Sequence, residues 1–327
     1  LKKQKKLIGF DNKMRNIRIA GRGSKLALVQ SNYIRDLLQD ISRGIDISIV
    51  EISTQGDRDR SDFLYKTESI GFFTSEVENA ILDGRADLAV HSLKDLPTTP
   101  AGGLIIAAIP KRETSADALV ASAGIASIDD LPAGSTVGTS SLRRIAQLRH
   151  QRGDLKPVPL RGNIETRIGK VQSSQIDAAI VACAGLNRLG LSERISTTLP
   201  LKDFIPAPAQ GALAVQCRTD DSDLIELLSQ LDDKPTRIAV EAERAVLARM
   251  HGGCSIPLGV HAYIQDETIT IDAMISDTDA ENYIKRSKTD SIDNIETLTK
   301  SLAQELLKAG GQKILDQIRS QRANQNQ

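Results

Sequence analysis

Tryptophan is absent from this 327-residue chain, aromatic residues make up only 3% of it, and it holds three cysteines and no net charge. So few aromatic rings exclude stacking as the main way of holding a ligand. Three cysteines without paired spacing exclude a disulfide framework and a zinc knuckle. They suit a reducing compartment, which makes the cytoplasm the expected location. A balance of 42 basic against 42 acidic residues argues against a general nucleic-acid binder, which shows a basic domain or stripe. No apolar run approaches the ~20 residues that cross a bilayer. The lysine-rich start lacks the apolar stretch of a secretory signal. Met14 directly precedes the first strand-like run, so residues 1–14 are expected to be a disordered extension or to lie upstream of the start. The glycines of IAGRGSKLAL, residues 19–28, are too few and wrongly spaced for a dinucleotide or P-loop fingerprint.

What is present is an unusual placement of arginine. Residues 139–170 hold eight lysines and arginines against two acidic residues, a local surplus of six in a neutral chain. Thr139, Ser140 and Ser141 form a capping cluster with Arg143 and Arg144 in the turn behind it, and Asn163 is a second cap between Arg161 and Arg167. A third basic start has Ser24 as its cap, flanked by Arg22 and Lys25. A helix N-terminus already carries partial positive charge and unpaired N–H groups, so cations there cost roughly 0.3–1 kcal/mol each unless an anion faces them. Three such starts point to a small ligand bearing several carboxylates or phosphates. Capped helix starts suit a compact anion better than a nucleic-acid backbone.

Strand-like runs at 17–20, 45–52, 86–90, 104–109, 118–122, 136–138 and 177–182 alternate with helical patterns at 25–39, 75–83, 142–149 and 164–172. That order reads as α/β with mostly parallel sheets, whose ligands sit at the carboxyl ends of strands, where the basic helix starts fall. Residues 110–115 and the proline-rich 199–210 look like connections between lobes, and a strand follows at 211–217. Beyond an acidic helical segment, 220–249, come antiparallel strands within 260–276 and 283–288 and a final amphipathic helix at 295–319.

Asp95 follows Lys94 at the end of a buried-looking strand. Among cations, a carboxylate there is a candidate acid, base or cation stabiliser, and equally a surface Lys–Asp turn. His91 on the same run reads as a packed strand residue. Cys183 and Cys217 lie in apolar runs and read as core. Cys254 lies in HGGCSIPLG, a loop with small neighbours and no apolar cover, and its thiol is available as a nucleophile, an attachment point or a plain exposed thiol. Neither His251 nor any other histidine sits in a partner motif for a cysteine protease.

TSSLRR, LRGNIETR, HSLKDLPT, AGLNRLGL and GGCSIPLG, at residues 139–144, 160–167, 91–98, 184–191 and 252–259, together resemble the porphobilinogen deaminase (hydroxymethylbilane synthase) family. The likeness runs over about residues 17–260, and the rest agrees in pattern more than in motif. It implies two lobes like those of periplasmic binding proteins, with the chain crossing between them twice, and a small α+β C-terminal domain. The corresponding division is 15–111 with 206–229, then 112–205, then 230–327. The resemblance implies a monomeric transferase that condenses four porphobilinogen molecules into hydroxymethylbilane with loss of ammonia. It implies a dipyrromethane cofactor held by a thioether to Cys254, with Asp95 stabilising positive charge during the reaction. Lys94, Asp95, Ser141, Arg143 and Arg144 would hold the cofactor, and Arg22, Ser24, Arg161, Arg167 and Arg188 the substrate or growing chain. No metal, nucleotide, nucleic acid or membrane is implied.

The implied product explains the arginine surplus, because each pyrrole brings two carboxylates and arginine binds a carboxylate in a bidentate fork. The chain departs from the family in two places. Ile70 and Ser75 stand where lysines are common, and Ala209 stands in place of the usual glycine before QGA. The rival reading is a non-enzymatic carboxylate-binding protein of the same two-lobed fold, which accounts for the arginines but not for Cys254 beside Asp95.

Overall fold

The computed structural model describes residues 16–42, 44–54, 74–250 and 256–325, without the side chains of 321–325. The expected extension at 1–14, Ile70, His251 and Cys254 lie outside the described residues.

The chain begins with β1 (Asn16–Arg22), α1 (Lys25–Ile41), β2 (Asp46–Ile52), α2 (Ser75–Leu82), β3 (Leu88–Ser92), a single 3-10 turn (Leu93–Asp95) and β4 (Leu104–Ala108). It then crosses over and forms β5 (Asp117–Ala121), β6 (Thr136–Gly138), α3 (Leu142–Gln151), β7 (Lys156–Val158), α4 (Ile164–Gln172), β8 (Ala178–Ala182), α5 (Cys183–Arg188) and β9 (Thr197–Thr198). It crosses back into β10 (Leu213–Arg218) and α6 (Ser222–Ser229). Two five-stranded sheets result, ordered β2-β1-β3-β10-β4 and β7-β6-β8-β5-β9. In each, one strand runs against its neighbours: β10 is antiparallel to β3 and β4, and β5 to β8 and β9. The reversed strand is in both cases the one that has just arrived from the other lobe. The expected mostly parallel sheets therefore hold, with one exception per lobe that the double crossing imposes.

Buried strands with few polar residues suit sheets covered on both faces. In the first lobe Ile17, Ile19, Leu88 and Val215 pack under Ile34 of α1 and Leu224 of α6. In the second, Leu119, Val137 and Ile180 pack with Leu148 of α3 and Phe204. Cys183 and Cys217 are buried, as expected of core thiols. The C-terminal unit is α7 (Lys234–Arg249), β11 (Leu258–Gln265), β12 (Thr268–Ser276), β13 (Tyr283–Ser291), α8 (Ile295–Leu306) and α9 (Gln312–Gln325), with Val246, Ile271 and Leu302 at its centre.

Two helical expectations are corrected. The segment 220–249 is two helices, because the Asp233 side chain accepts the Thr236 N–H (3.0 Å) and starts α7 with a proline in its first turn. The final helix is also two, separated by a π-type turn at Leu307–Gly311 in which Gly310 has φ 121°. A Cβ on the next residue, Gly311, would lie 2.6 Å from the Leu306 carbonyl.

The two crossings run side by side and are pinned from the C-terminal unit. Glu243 of α7 is fully buried and pairs with Arg112 through both carboxylate oxygens (2.8 and 3.0 Å). The same carboxylate accepts the backbone N–H of Ala209 (2.6 Å) and of Ala262 (2.8 Å). Ala209 has φ 61°, which explains why glycine is usual at that position. Here an alanine is held in the left-handed region at about 1–2 kcal/mol, and the bond to Glu243 helps to hold it. Gly211 (φ 88°) has no such latitude, since a Cβ would come 2.4 Å from the Thr114 carbonyl.

Candidate active site

The turn that follows β3 in the first lobe and the helix start that follows β6 in the second border one cavity. The first lobe brings Lys94 and Asp95 there on the 3-10 turn that ends β3. That turn is held from outside: the Leu93 N–H donates to Ala212 O (3.0 Å), and Arg244 of α7 donates to the carbonyls of Leu93, Leu96 and Pro97 (3.2, 3.0 and 2.6 Å). Asp95 itself is exposed to the cleft, and Lys94 is half-buried. Burial lowers the Lys94 ammonium to about 8, partly offset by Asp95, with Arg144 lowering it further.

The second lobe brings α3. Its start differs from the expected capping cluster: Ser141 has cap geometry, but its hydroxyl makes no capping bond. Thr139 Oγ1 accepts the Ser141 N–H (3.2 Å), and Ser140 Oγ both donates to Leu160 O and accepts from Leu160 N (3.0 Å each). Ser141 is among the residues that line the cavity. The other two caps are formed as expected. Ser24 accepts the Ala27 N–H (3.3 Å) and Asn163 the Thr166 N–H (2.8 Å).

Lys94, Asp95, Ser141, Arg143 and Arg144 all line one cavity, whose remaining wall includes Pro208, Leu247, Ile256 and Leu258. Every expected cofactor residue within the described part of the chain is thus brought together. Ile256 is two residues beyond Cys254 in sequence. A larger cavity in the C-terminal unit, about 880 Å³, is bordered by Asp277, Asp279, Glu281 and Asp316 and is unsuited to a polyanion.

The residues expected to hold substrate are placed less uniformly. Arg167, in the first turn of α4, feels both Arg144 and Asp95, and burial, reinforced by Arg144, lowers its guanidinium to about 10. Arg22 ends β1, and Arg161 lies just ahead of the Asn163 cap; both are half-buried. Arg188 donates to Gly211 O on the second crossing (2.7 Å) and is not among the residues that line this cavity. Ser75 is the first residue of α2. His91 is buried in β3 and lowered to about 4 by desolvation, so it is neutral near pH 7 and packed, as expected.

Sequence reasoning missed Asp117, Gln210, Arg244 and the Arg112–Glu243 pair. Asp117 is fully buried and lies opposite Ala182, at the carboxyl end of β8. Its Oδ2 is 2.8 Å from Arg143 Nη1, and its Oδ1 accepts from Arg144 Nη2 (2.6 Å) and Gln210 Nε2 (2.9 Å). Gln210 Oε1 in turn accepts from Lys94 Nζ (3.2 Å). The available signal was an acid opening an apolar strand, ADALVA, which has to find a cation once buried.

Residues 17–226 match the family described as porphobilinogen deaminase, dipyromethane cofactor binding domain, and residues 237–308 match its C-terminal domain. A porphobilinogen deaminase of Maridesulfovibrio salexigens is 44% identical over 93% of this chain and 99% of its own length. One of Prochlorococcus marinus is 44% identical over 92% of this chain and 96% of its own. Among solved structures, the periplasmic aliphatic sulphonate binding protein of Escherichia coli gives a TM-score of 0.37 at 17% identity, covering 72% of this chain and 70% of that one. With both halves matched and relatives this similar along nearly their whole length, the chain belongs to the porphobilinogen deaminase family.

Proposed function

We propose that the chain is a transferase of tetrapyrrole synthesis that joins four porphobilinogen molecules, with loss of ammonia at each, into hydroxymethylbilane. The observation that carries this reading is the single cavity shared by Lys94 and Asp95, by Ser141, Arg143 and Arg144, and by the wall directly after Cys254. Dipyrromethane has two flat rings and four carboxylates, and the residues present fit it. Three cations border the cavity opposite an apolar wall, and Arg143 Nε is buried with no hydrogen-bond partner among the described residues. Lys94, Ser141, Arg143 and Arg144 would hold its carboxylates, and Cys254 would carry it. When bound, it supplies the pyrrole carbon from which the product chain is extended.

Within this reading each side chain has a distinct task. Asp95 is a carboxylate on a rigid turn among cations, so it accepts pyrrole N–H groups and stabilises the positive charge that develops as ammonia leaves. The arginine forks orient carboxylates two oxygens at a time. Arg22 and Ser24 stand at the start of α1 and Arg161 and Arg167 at the start of α4, and with Arg188 they would receive incoming substrate.

The experiment is the intact mass of the purified protein. An increment of two pyrrole units that is absent from Cys254→Ser is expected. An unmodified protein that still turns over porphobilinogen would sink the cofactor assignment, and an unmodified, inactive protein that binds polycarboxylates would favour the non-enzymatic rival.

A pH effect follows from Lys94. Its proton is lost as pH rises through about 8, so a cation disappears and carboxylate affinity falls. Loading of unmodified protein is expected to slow roughly tenfold from pH 7 to 9 through this group, taking a charged hydrogen bond as ~1.5 kcal/mol. The check is the rate of mass gain against pH in parent and Lys94→Met. A step that persists unchanged in Lys94→Met would assign it elsewhere.

A further inference from the structure

Behind the arginines of α3 lies a carboxylate with no task in the chemistry above. Asp117 is fully buried on the crossing strand β5, yet it touches both guanidiniums that border the cavity. Each guanidinium has a second anchor on the backbone: Arg143 Nη1 donates to Ile205 O (2.8 Å) and Arg144 Nη1 to Ile180 O (3.0 Å). Gln210 Nε2 completes the frame by donating to both Asp117 and the Ser115 carbonyl (2.8 Å). Burial alone would push the Asp117 carboxyl up. Arg143 and Arg144 reverse this and hold it well below the usual carboxylate range, so it stays charged. Without it, two adjacent guanidiniums would be buried with no counter-charge, a costly arrangement in a low-dielectric interior.

We propose that Asp117 is a positioning residue for the polycarboxylate site: it aligns Arg143 and Arg144 and supplies their counter-charge until ligand carboxylates share that task. The site is thereby assembled before it is filled, which lowers the ordering cost of loading. The proposal rests on the function argued above, in which Cys254 carries a polycarboxylate group.

A merely structural aspartate would stabilise loaded and unloaded protein alike, whereas a counter-ion matters most when ligand carboxylates are missing. The experiment measures thermal midpoints of Asp117→Asn against its parent, once as loaded protein and once in the unloadable Cys254→Ser background. Asp117→Asn is expected to lower the unloaded midpoint by about 5–10 °C and the loaded one by less than half of that. Equal losses in a parent that does load would overturn this proposal alone. A parent that never gains the pyrrole increment would overturn the proposed function and this proposal with it. Should Asp117→Asn fail to fold or to load, the charge-balanced Asp117→Asn/Arg143→Met pair decides in the Cys254→Ser background. A midpoint or soluble yield restored toward the parent supports the counter-ion role, and no recovery overturns it.

Discussion

Asp95→Ala is expected to lower porphobilinogen turnover by about 10²–10⁴-fold while the protein stays folded. The side chain is exposed at the cleft, so its removal leaves no buried group unpartnered. The turn that carries it is held by the backbone of Ala212 and by Arg244, neither of which uses the carboxylate. What disappears is a negative charge among Lys94, Arg144 and Arg167. A cationic transition state would then face those cations without compensation, which is where fixed charge has its largest leverage. Asp95→Asn separates the two contributions, since it keeps a hydrogen-bond acceptor and removes the charge. Turnover should be measured per loaded molecule, with loading read from intact mass. Near-normal turnover in Asp95→Ala would remove Asp95 from the chemistry.

Local chemistry made much of this site legible in the sequence. Ser24 and Asn163 cap the helices they were expected to cap because N-capping needs only residues within one turn. The strand-then-helix order by itself places the basic starts at the carboxyl ends of strands. The parts that were not legible depend on contacts distant in sequence. Asp117 meets Arg143 and Arg144 only because β5 pairs with β8 and α3 packs against that sheet. Glu243 sits in an ordinary amphipathic helix, and its burial against Arg112 depends on how the two crossings meet.

At the arginines of α3 the sequence argument was incomplete. Cations in a first turn call for an anion, and the sequence alone points to the ligand as that anion. The fold provides one of its own, so the helix start is already compensated in the unloaded protein. Arg143 and Arg144 are 3% and 7% exposed, which makes them part of the wall rather than mobile surface charges.

That placement shapes the expectation for Arg143→Leu, which is a folded protein with essentially no covalent pyrrole increment and no turnover. Leucine fills much of the volume above Phe204, whose ring centre lies 5.9 Å from the Arg143 guanidinium. Asp117 keeps Arg144 and Gln210, so the stability loss should be below the ~3–5 kcal/mol of a buried pair broken outright. The electrostatic change is larger than the packing change. With one guanidinium gone, Asp117 is neutralised by Arg144 alone, and Lys94 is the remaining cavity cation for four incoming carboxylates. Carboxylates that met a net attraction then meet near balance, and the bidentate geometry that selects them is halved. Denaturant unfolding and intact mass, measured on the same preparation, separate the two effects. A folded, unmodified Arg143→Leu protein is the expected result, and a fully loaded, active one would count against the carboxylate role of Arg143. Arg143→Lys sharpens the comparison, because it restores the charge without the fork. Partial loading there would assign the deficit to geometry, since the charge that repels or attracts the ligand is unchanged.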